Sequence, residues 1–191
     1  MNLANKISIA RILLIPFFIA SIVYYSDKSS LFSYLPAIIF FIAVISDGID
    51  GLLARQFNQK TELGTILDPI ADKLLIITAF VALSFSKSIP AHLRLPPWLP
   101  ITVISRDIII VLGTVIIYFI KGAVQIIPTF LGKITAFFQM LTILCVLIKF
   151  PYSFIIWQLA GGLTILSGIN YIIRGSRLLS ENNGTDKRQT S

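Results

Sequence analysis

The chain has one cysteine, one histidine and only nine acidic residues among its 191. The lone Cys145 excludes an intrachain disulfide, and its place inside an apolar run leaves the redox compartment open. The single His92 sits in a polar loop and reads as a solvated residue, so the His and Cys sets that hold zinc or copper are missing. No internal repeat at periods of about 20–50 residues is present. The only biased tract is the polar tail Glu181–Ser191, which is expected to be disordered.

Charge is scarce as well, at 13% of residues, while hydrophobic residues make up 55%. With a mean hydropathy of +0.85, the chain is too apolar for an ordinary soluble domain. An all-α, polytopic integral membrane protein is expected. The net charge of +7 does not point to nucleic acid, because the basic residues are spread over loops, and anionic lipid or phosphate fits them better.

A helical span needs about 20 apolar residues, and six such segments can be laid out, near 7–25, 34–54, 66–86, 98–120, 129–148 and 152–173. Residues 1–180 are expected to form one membrane domain and 181–191 a cytoplasmic tail. Arg11 interrupts the first run and no small-residue cleavage site follows, so that run is expected to stay as a helix and not to be removed as a signal peptide. With the N-terminus inside, segments 1–11, 55–63, 121–133 and 174–191 hold ten Lys or Arg against four in the opposite loops. The positive-inside rule then places both termini and the 55–63 turn in the cytoplasm. The stretch Asn5–Arg11 could begin as a short interfacial helix with Lys6 and Arg11 toward head groups, or serve only as a positive flank.

What the chain does have is four of its few acids in one window. Asp47 and Asp50 are three residues apart, Asp68 and Asp72 four apart, and both pairs lie at the facing ends of strongly apolar segments. On helices each pair shares one face, and the short polar stretch 56–63 would bring the pairs together. Gly64, Asp68 and Asp72 line up only if the third helix starts near Gly64 and bends at Pro69, which is the arrangement expected here. Four carboxylates without His or Cys form an all-oxygen site suited to Mg²⁺ or Mn²⁺. Two such ions would fit at the roughly 3.5–4 Å separation of two-metal phosphate chemistry.

The pattern Asp-x2-Asp-Gly-x2-Ala-Arg-x8-Gly-x3-Asp-x3-Asp, spanning residues 47–72, resembles the signature of the CDP-alcohol phosphatidyltransferases at every defined position. Weaker likeness covers most of the chain. The resemblance implies that CDP-diacylglycerol donates its phosphatidyl group to an alcohol and that CMP leaves. Asp47, Asp50 and Asp68 would then hold the metals, and Asp72 would bridge or approach them and accept the proton of the acceptor hydroxyl. Gly51 and Arg55, with Asp47 and Asp50, would face the nucleotide. The family is usually dimeric, so a homodimer is expected.

Three further segments bear on the acceptor. Lys73 adjoins Asp72 and reads as a charge-balancing neighbour. Ser105-Arg106-Asp107 falls well inside the fourth span, where Arg106 is either part of a structural ion pair or a substrate-phosphate contact. The expected topology puts Arg106 nearer the outer face than the Asp cluster, which counts against the second role. Gly132-Lys133-Ile134-Thr135-x-x-x-Gln139 opens the fifth span, where Lys133 could bind phosphate with Thr135 and Gln139 on a neighbouring face, or act only as a positive flank.

These segments look most like the branch that uses sn-glycerol 3-phosphate or phosphatidylglycerol as acceptor, although Gly48 stands where that branch often has Trp. The residues 109–113 also lack the Arg-Glu pair it often carries. Intramembrane acids could instead form a divalent-cation transport path, but they lie on one hairpin with no inverted repeat.

Overall fold

A computed structural model describes the backbone of residues 3–26, 30–56, 62–121 and 129–186, and side chains over 9–26, 31–46, 70–119 and 129–177. Six helices follow one another: α1 Leu3–Val23, α2 Ser30–Gln56, α3 Glu62–Phe85, α4 Trp98–Lys121, α5 Phe130–Leu147 and α6 Ser153–Asp186. A 3₁₀ turn, Ala91–Leu93, lies before α4, and the described residues contain no strand. An all-helical answer follows from composition, because apolar runs of this length must satisfy their backbone groups internally once removed from water.

Three described segments are long and apolar enough to cross a membrane: Ala91–Phe119, Phe130–Leu147 and Ser153–Arg177. Ile9–Val23 and Leu31–Ser46 are shorter apolar helices. Large apolar side chains also cover the outside of the bundle, among them Leu13, Phe17, Phe119 and Phe130. A molecule that presents such surface on many sides is built for lipid contact.

The helix ends carry their own local reasons. Pro96 and Pro97 precede α4 and Pro100 lies in its first turn, where a missing N–H costs nothing. Thr129 caps α5, its Oγ1 accepting from the N–H of Gly132 at 3.1 Å. At the other end of α5, the N–H of Phe150 reaches the carbonyl of Cys145 at 2.8 Å and that of Lys149 reaches Val146 at 3.1 Å. This is a Schellman closure with Lys149 at φ 59°, where glycine is the usual choice. The ammonium of Lys149 lies over the rings of Tyr25 and Tyr34 at 5.6 and 5.8 Å, a contact that offsets the strain.

Packing divides the helices into two groups. Helix α1 packs on α2 and α3, α6 packs on α4 and α5, and α3 joins the groups by touching α4 and α5. The shared core includes Phe18, Phe40, Phe80, Leu83, Leu99, Val103 and Ile143. The α5–α6 seam is polar: Gln139 Nε2 donates to Thr164 Oγ1 at 3.0 Å, and Thr135 Oγ1 lies 3.2 Å from the Leu163 carbonyl. Buried hydroxyls and amides of this kind hold helices together where the hydrophobic effect between them is weak.

Several boundaries differ from expectation. Helix α1 is one continuous element from Leu3, with no separate interfacial piece. Helix α3, by contrast, starts at Glu62, close to the expected start near Gly64, and runs through Pro69. Helix α6 continues through Asp186, past residue 173 and into the segment expected to be disordered. Once a helix is nucleated by packing, each added residue brings its own hydrogen bond, so a polar extension forms readily.

One seam position yields a test. A Cβ on Gly161 would stand 2.6 and 2.7 Å from Cη2 and Cζ3 of Trp98, whose ring is edge-on to Trp157 at 6.0 Å. At Gly162 a Cβ would meet nothing within 4 Å. Gly161→Ala should therefore destabilise the protein by about 1–3 kcal/mol, seen as earlier thermal unfolding in detergent. Gly162→Ala should be neutral, or stabilising by about 0.5–1 kcal/mol.

Candidate active site

The backbone of all four motif aspartates is helical, Asp47 and Asp50 on α2 and Asp68 and Asp72 on α3. Spacings of three and four residues therefore put each pair on one face of its helix. The side chains of Asp47, Asp50, Gly51, Arg55 and Asp68 lie outside the described residues. Among the described residues no group of three or more His, Cys, Asp or Glu could hold a metal. The donor chemistry of the four positions, carboxylate oxygen alone, matches a hard divalent cation.

Asp72 is described, and its partner comes from the other end of the sequence. Arg11 Nη1 donates to Asp72 Oδ1 at 2.6 Å, with the Arg11 side chain 1% exposed and that of Asp72 29%. The expectation that Arg11 faces head groups is thus overturned. A guanidinium inside an apolar helix is too costly to leave without a counter-charge, and the α1–α3 contact supplies one.

The next residue belongs to a second cluster. Lys73 Nζ lies 2.5 Å from Asp107 Oδ1, and Arg106 Nη1 lies 2.7 Å from the same oxygen. Lys73 therefore balances Asp107 on α4, not its neighbour Asp72. Arg106 is buried, and its Nη2 donates to Ser167 Oγ on α6 at 3.0 Å. Its guanidinium carbon lies 5.6 Å from the centre of the Tyr171 ring. Arg106 Nε and Asp107 Oδ2 are buried without hydrogen-bond partners.

These side chains border a cavity of about 580 Å³ whose polar lining comes from Lys73, Arg106, Asp107, Thr129, Lys133 and Tyr171. Ile104, Ile108, Val111 and Leu112 of α4 give it an apolar wall. The first turn of α5 closes one side, and Gly132 makes the close approach possible. A Cβ there would stand 3.1 Å from Thr129 Oγ1, 3.3 Å from Arg106 Nη2 and 3.5 Å from the Tyr171 hydroxyl.

Arg106 was expected nearer the outer face than the Asp cluster. It instead shares a level with Lys73, next to Asp72, and with Gly132 and Lys133 at the start of α5. The reason is a mismatch of helix lengths: at 1.5 Å per residue, α4 and α6 each run roughly 20 Å beyond this level. Counting from span ends therefore misplaces Arg106. Arg106 has the ion pair with Asp107 that was one of its two expected roles, and it also lies on the cavity wall.

Lys133 is exposed and lines the cavity, but Thr135 and Gln139 are fully buried in the α5–α6 seam and do not. Their pairing with Leu163 and Thr164 removes them from any phosphate site on that face. Sequence reasoning passed over Ser167 and Tyr171, since neither stands out near the end of an apolar run. Asp107 was noticed only as a neighbour of Arg106.

The comparisons agree with this architecture. The family model for CDP-alcohol phosphatidyltransferase matches residues 1–167. A probable phosphatidylglycerophosphate synthase of Mycobacterium tuberculosis (strain ATCC 25618 / H37Rv) is 31% identical over 184 residues, covering 92% of this chain and 82% of the relative. The CDP-diacylglycerol–glycerol-3-phosphate 3-phosphatidyltransferase of Bacillus subtilis (strain 168) is 32% identical over 200 residues, covering 95% and 99%. That of Aquifex aeolicus (strain VF5) is 31% identical over 190 residues, covering 94% and 98%.

An all-helical bundle with apolar outer faces, a carboxylate motif on two helices and a cationic cavity beside it fits a membrane-embedded enzyme acting on phosphate esters. The chain belongs to the CDP-alcohol phosphatidyltransferase family and is a phosphatidyltransferase.

The Arg11–Asp72 pair is open to a double-mutant cycle. Arg11→Met and Asp72→Asn should each lower thermal stability in detergent. The double variant should lose less than the sum, with a coupling on the order of 1–3 kcal/mol. Additive losses would mean that the contact contributes nothing.

Proposed function

We propose that the enzyme transfers the phosphatidyl group of CDP-diacylglycerol to sn-glycerol 3-phosphate, forming phosphatidylglycerophosphate and releasing CMP. The observation that carries this reading is the cationic cavity that begins at Lys73, one residue from Asp72. It offers three basic side chains and a helix N-terminus to a small phosphorylated alcohol. The names of the three relatives point the same way.

In this reading Asp47, Asp50 and Asp68 would hold two divalent cations, Mg²⁺ or Mn²⁺, with Asp72 bridging or approaching them. Bound there, the cations neutralise the diphosphate and stabilise charge on the attacked phosphorus and on departing CMP. Arg55 contacts the diphosphate or cytidine, and Gly51 lets the nucleotide approach the backbone. Arg106 and Lys133 take the acceptor phosphate, and the unpartnered Nε of buried Arg106 leaves it capacity for an anion. Asp72 accepts the proton as the acceptor hydroxyl oxygen bonds to the phosphorus that carries diacylglycerol. The bond from that phosphorus to the bridging oxygen breaks, and CMP takes the electron pair. Arg11 fixes the direction of the Asp72 carboxylate during this step.

The same reading makes residues 1–180 a six-span domain whose first helix begins at the membrane interface, followed by a polar tail at 181–191. The termini and the site face the cytoplasm, where the loops are richest in Lys and Arg, and the working unit is a homodimer. Phosphatidylglycerol as acceptor, hence cardiolipin synthesis, is a second reading favoured by one feature. The apolar wall of Ile104, Ile108, Val111 and Leu112 would suit a lipid acceptor.

Purified enzyme with CDP-diacylglycerol, offered glycerol 3-phosphate, phosphatidylglycerol, inositol phosphate and serine separately, tests the proposal. Phosphatidylglycerophosphate and equimolar CMP are expected with glycerol 3-phosphate alone. Cardiolipin from phosphatidylglycerol would replace the first reading by the second. Site roles separate by titrating metal into variants. Asp47→Asn and Asp68→Asn should lose metal affinity and turnover together. Asp72→Asn should keep most metal affinity while kcat falls by about 10²–10⁴. A rate for Asp72→Asn that returns at high metal concentration would make Asp72 a ligand and not the base.

A further inference from the structure

Two cations meeting on one carboxylate oxygen is an unusual expense in an apolar bundle. Lys73 Nζ at 2.5 Å and Arg106 Nη1 at 2.7 Å both bond Asp107 Oδ1, while Oδ2 is buried without a donor. A carboxylate that only tied two helices would divide its partners between its oxygens. Here the convergence holds an ammonium and a guanidinium within about 5 Å of each other, at the wall of one cavity. Like charges that close repel strongly in a medium of low dielectric. Without a shared counter-ion Lys73, whose side chain is 41% exposed, would swing away on its flexible stem.

We propose that Asp107 is a positioning residue for the acceptor: its carboxylate holds Lys73 and Arg106 together as one receptor for a phosphate monoester dianion. This rests on the reading of the cavity as the acceptor-phosphate site. Among the described residues four charged side chains line the cavity, Lys73, Arg106, Lys133 and Asp107, and their formal sum is +2, which suits a phosphate dianion. Arg106 is braced from three sides, by Asp107 Oδ1, by Ser167 Oγ and by the face of Tyr171. Among the described residues Asp107 is the one brace on Lys73, so Lys73 is the cation that depends most on this carboxylate. Because Lys73 directly follows Asp72, the same bond also sets where Asp72 stands relative to the acceptor.

Charge counting and positioning make opposite forecasts, which is what makes the idea testable. If only net charge matters, Asp107→Asn adds positive charge to the cavity and lowers KM for glycerol 3-phosphate. If Asp107 positions, the same change disperses the cations and raises that KM by about 10-fold or more, leaving KM for CDP-diacylglycerol unchanged. Asp107→Glu, which keeps the carboxylate on a longer stem, should fall between wild type and Asp107→Asn.

Lys133→Ala is the control on the cavity itself, expected to raise KM for glycerol 3-phosphate by about 10- to 150-fold through loss of a direct contact. A normal or lowered acceptor KM in Asp107→Asn, with Lys133→Ala impaired, overturns the positioning role alone. Normal acceptor KM in both variants overturns the acceptor site as well. Should Asp107→Asn not accumulate as folded protein, Lys73→Met takes its place. It removes the cation most dependent on Asp107 and leaves Arg106 paired. An acceptor KM raised about 10-fold with the donor KM unchanged is the expected result, and an unchanged acceptor KM overturns the proposal.

Discussion

A charge inside an apolar helix bundle must meet its opposite, and much of the described structure follows from that requirement. Arg11 and Asp72 are 61 residues apart in sequence, yet they pair at 2.6 Å. That pairing fixes the face that α1 presents to α3, because turning α1 would strand a guanidinium among core residues such as Phe18 and Ile22. The Lys73–Asp107–Arg106 cluster plays the same part between α3 and α4. Its reach extends to α6 through Ser167 and Tyr171. Helices α1, α3, α4 and α6 are thus aligned by buried charges.

Such alignment needs room, and small residues provide it. Gly132 lets the Arg106 guanidinium and the Tyr171 hydroxyl reach the first turn of α5, and Gly168 faces the stem of Arg106 from α6. Neutral polar groups do the remaining work between α5 and α6, where Thr135, Gln139, Thr142 and Thr164 are buried. Cations gather at one end of α5, and hydroxyls and amides fill its middle. The outer faces are left to Phe, Ile, Leu and Val. This division is what a solvent of low dielectric selects, since apolar surface is harmless there and an unpaired polar group is not.

The mechanism inherits a tension from the same physics. The carboxylate given the proton-accepting role is held by a guanidinium, which orients it and also competes for its electrons. A weak base can still serve if bound cations acidify the acceptor hydroxyl and the geometry is fixed in advance. Arg11 then contributes through direction. In the proposed mechanism the cluster on the next residue would do the same for the acceptor phosphate, so two adjacent residues of α3, paired with different helices, would set the two sides of the reaction.

By itself the sequence determined the all-helical class, the approximate place of the six helices and the pairing of aspartates by helical face. Each of these depends on local geometry: an apolar run of given length, a rise of 1.5 Å per residue, a repeat of 3.6. The motif at 47–72 determined the family for the same reason, being a fixed pattern along one hairpin. Only the tertiary structure decided which charge meets which. Arg11 passed for a head-group anchor, Arg106 was placed too far out, and Thr135 and Gln139 were given to the wrong face. Each error concerns a contact between helices distant in the chain. Helix phase says which residues share a face, but the partner of that face depends on rotation, depth and relative length. Those are set only when all the buried charges and side-chain volumes are satisfied together.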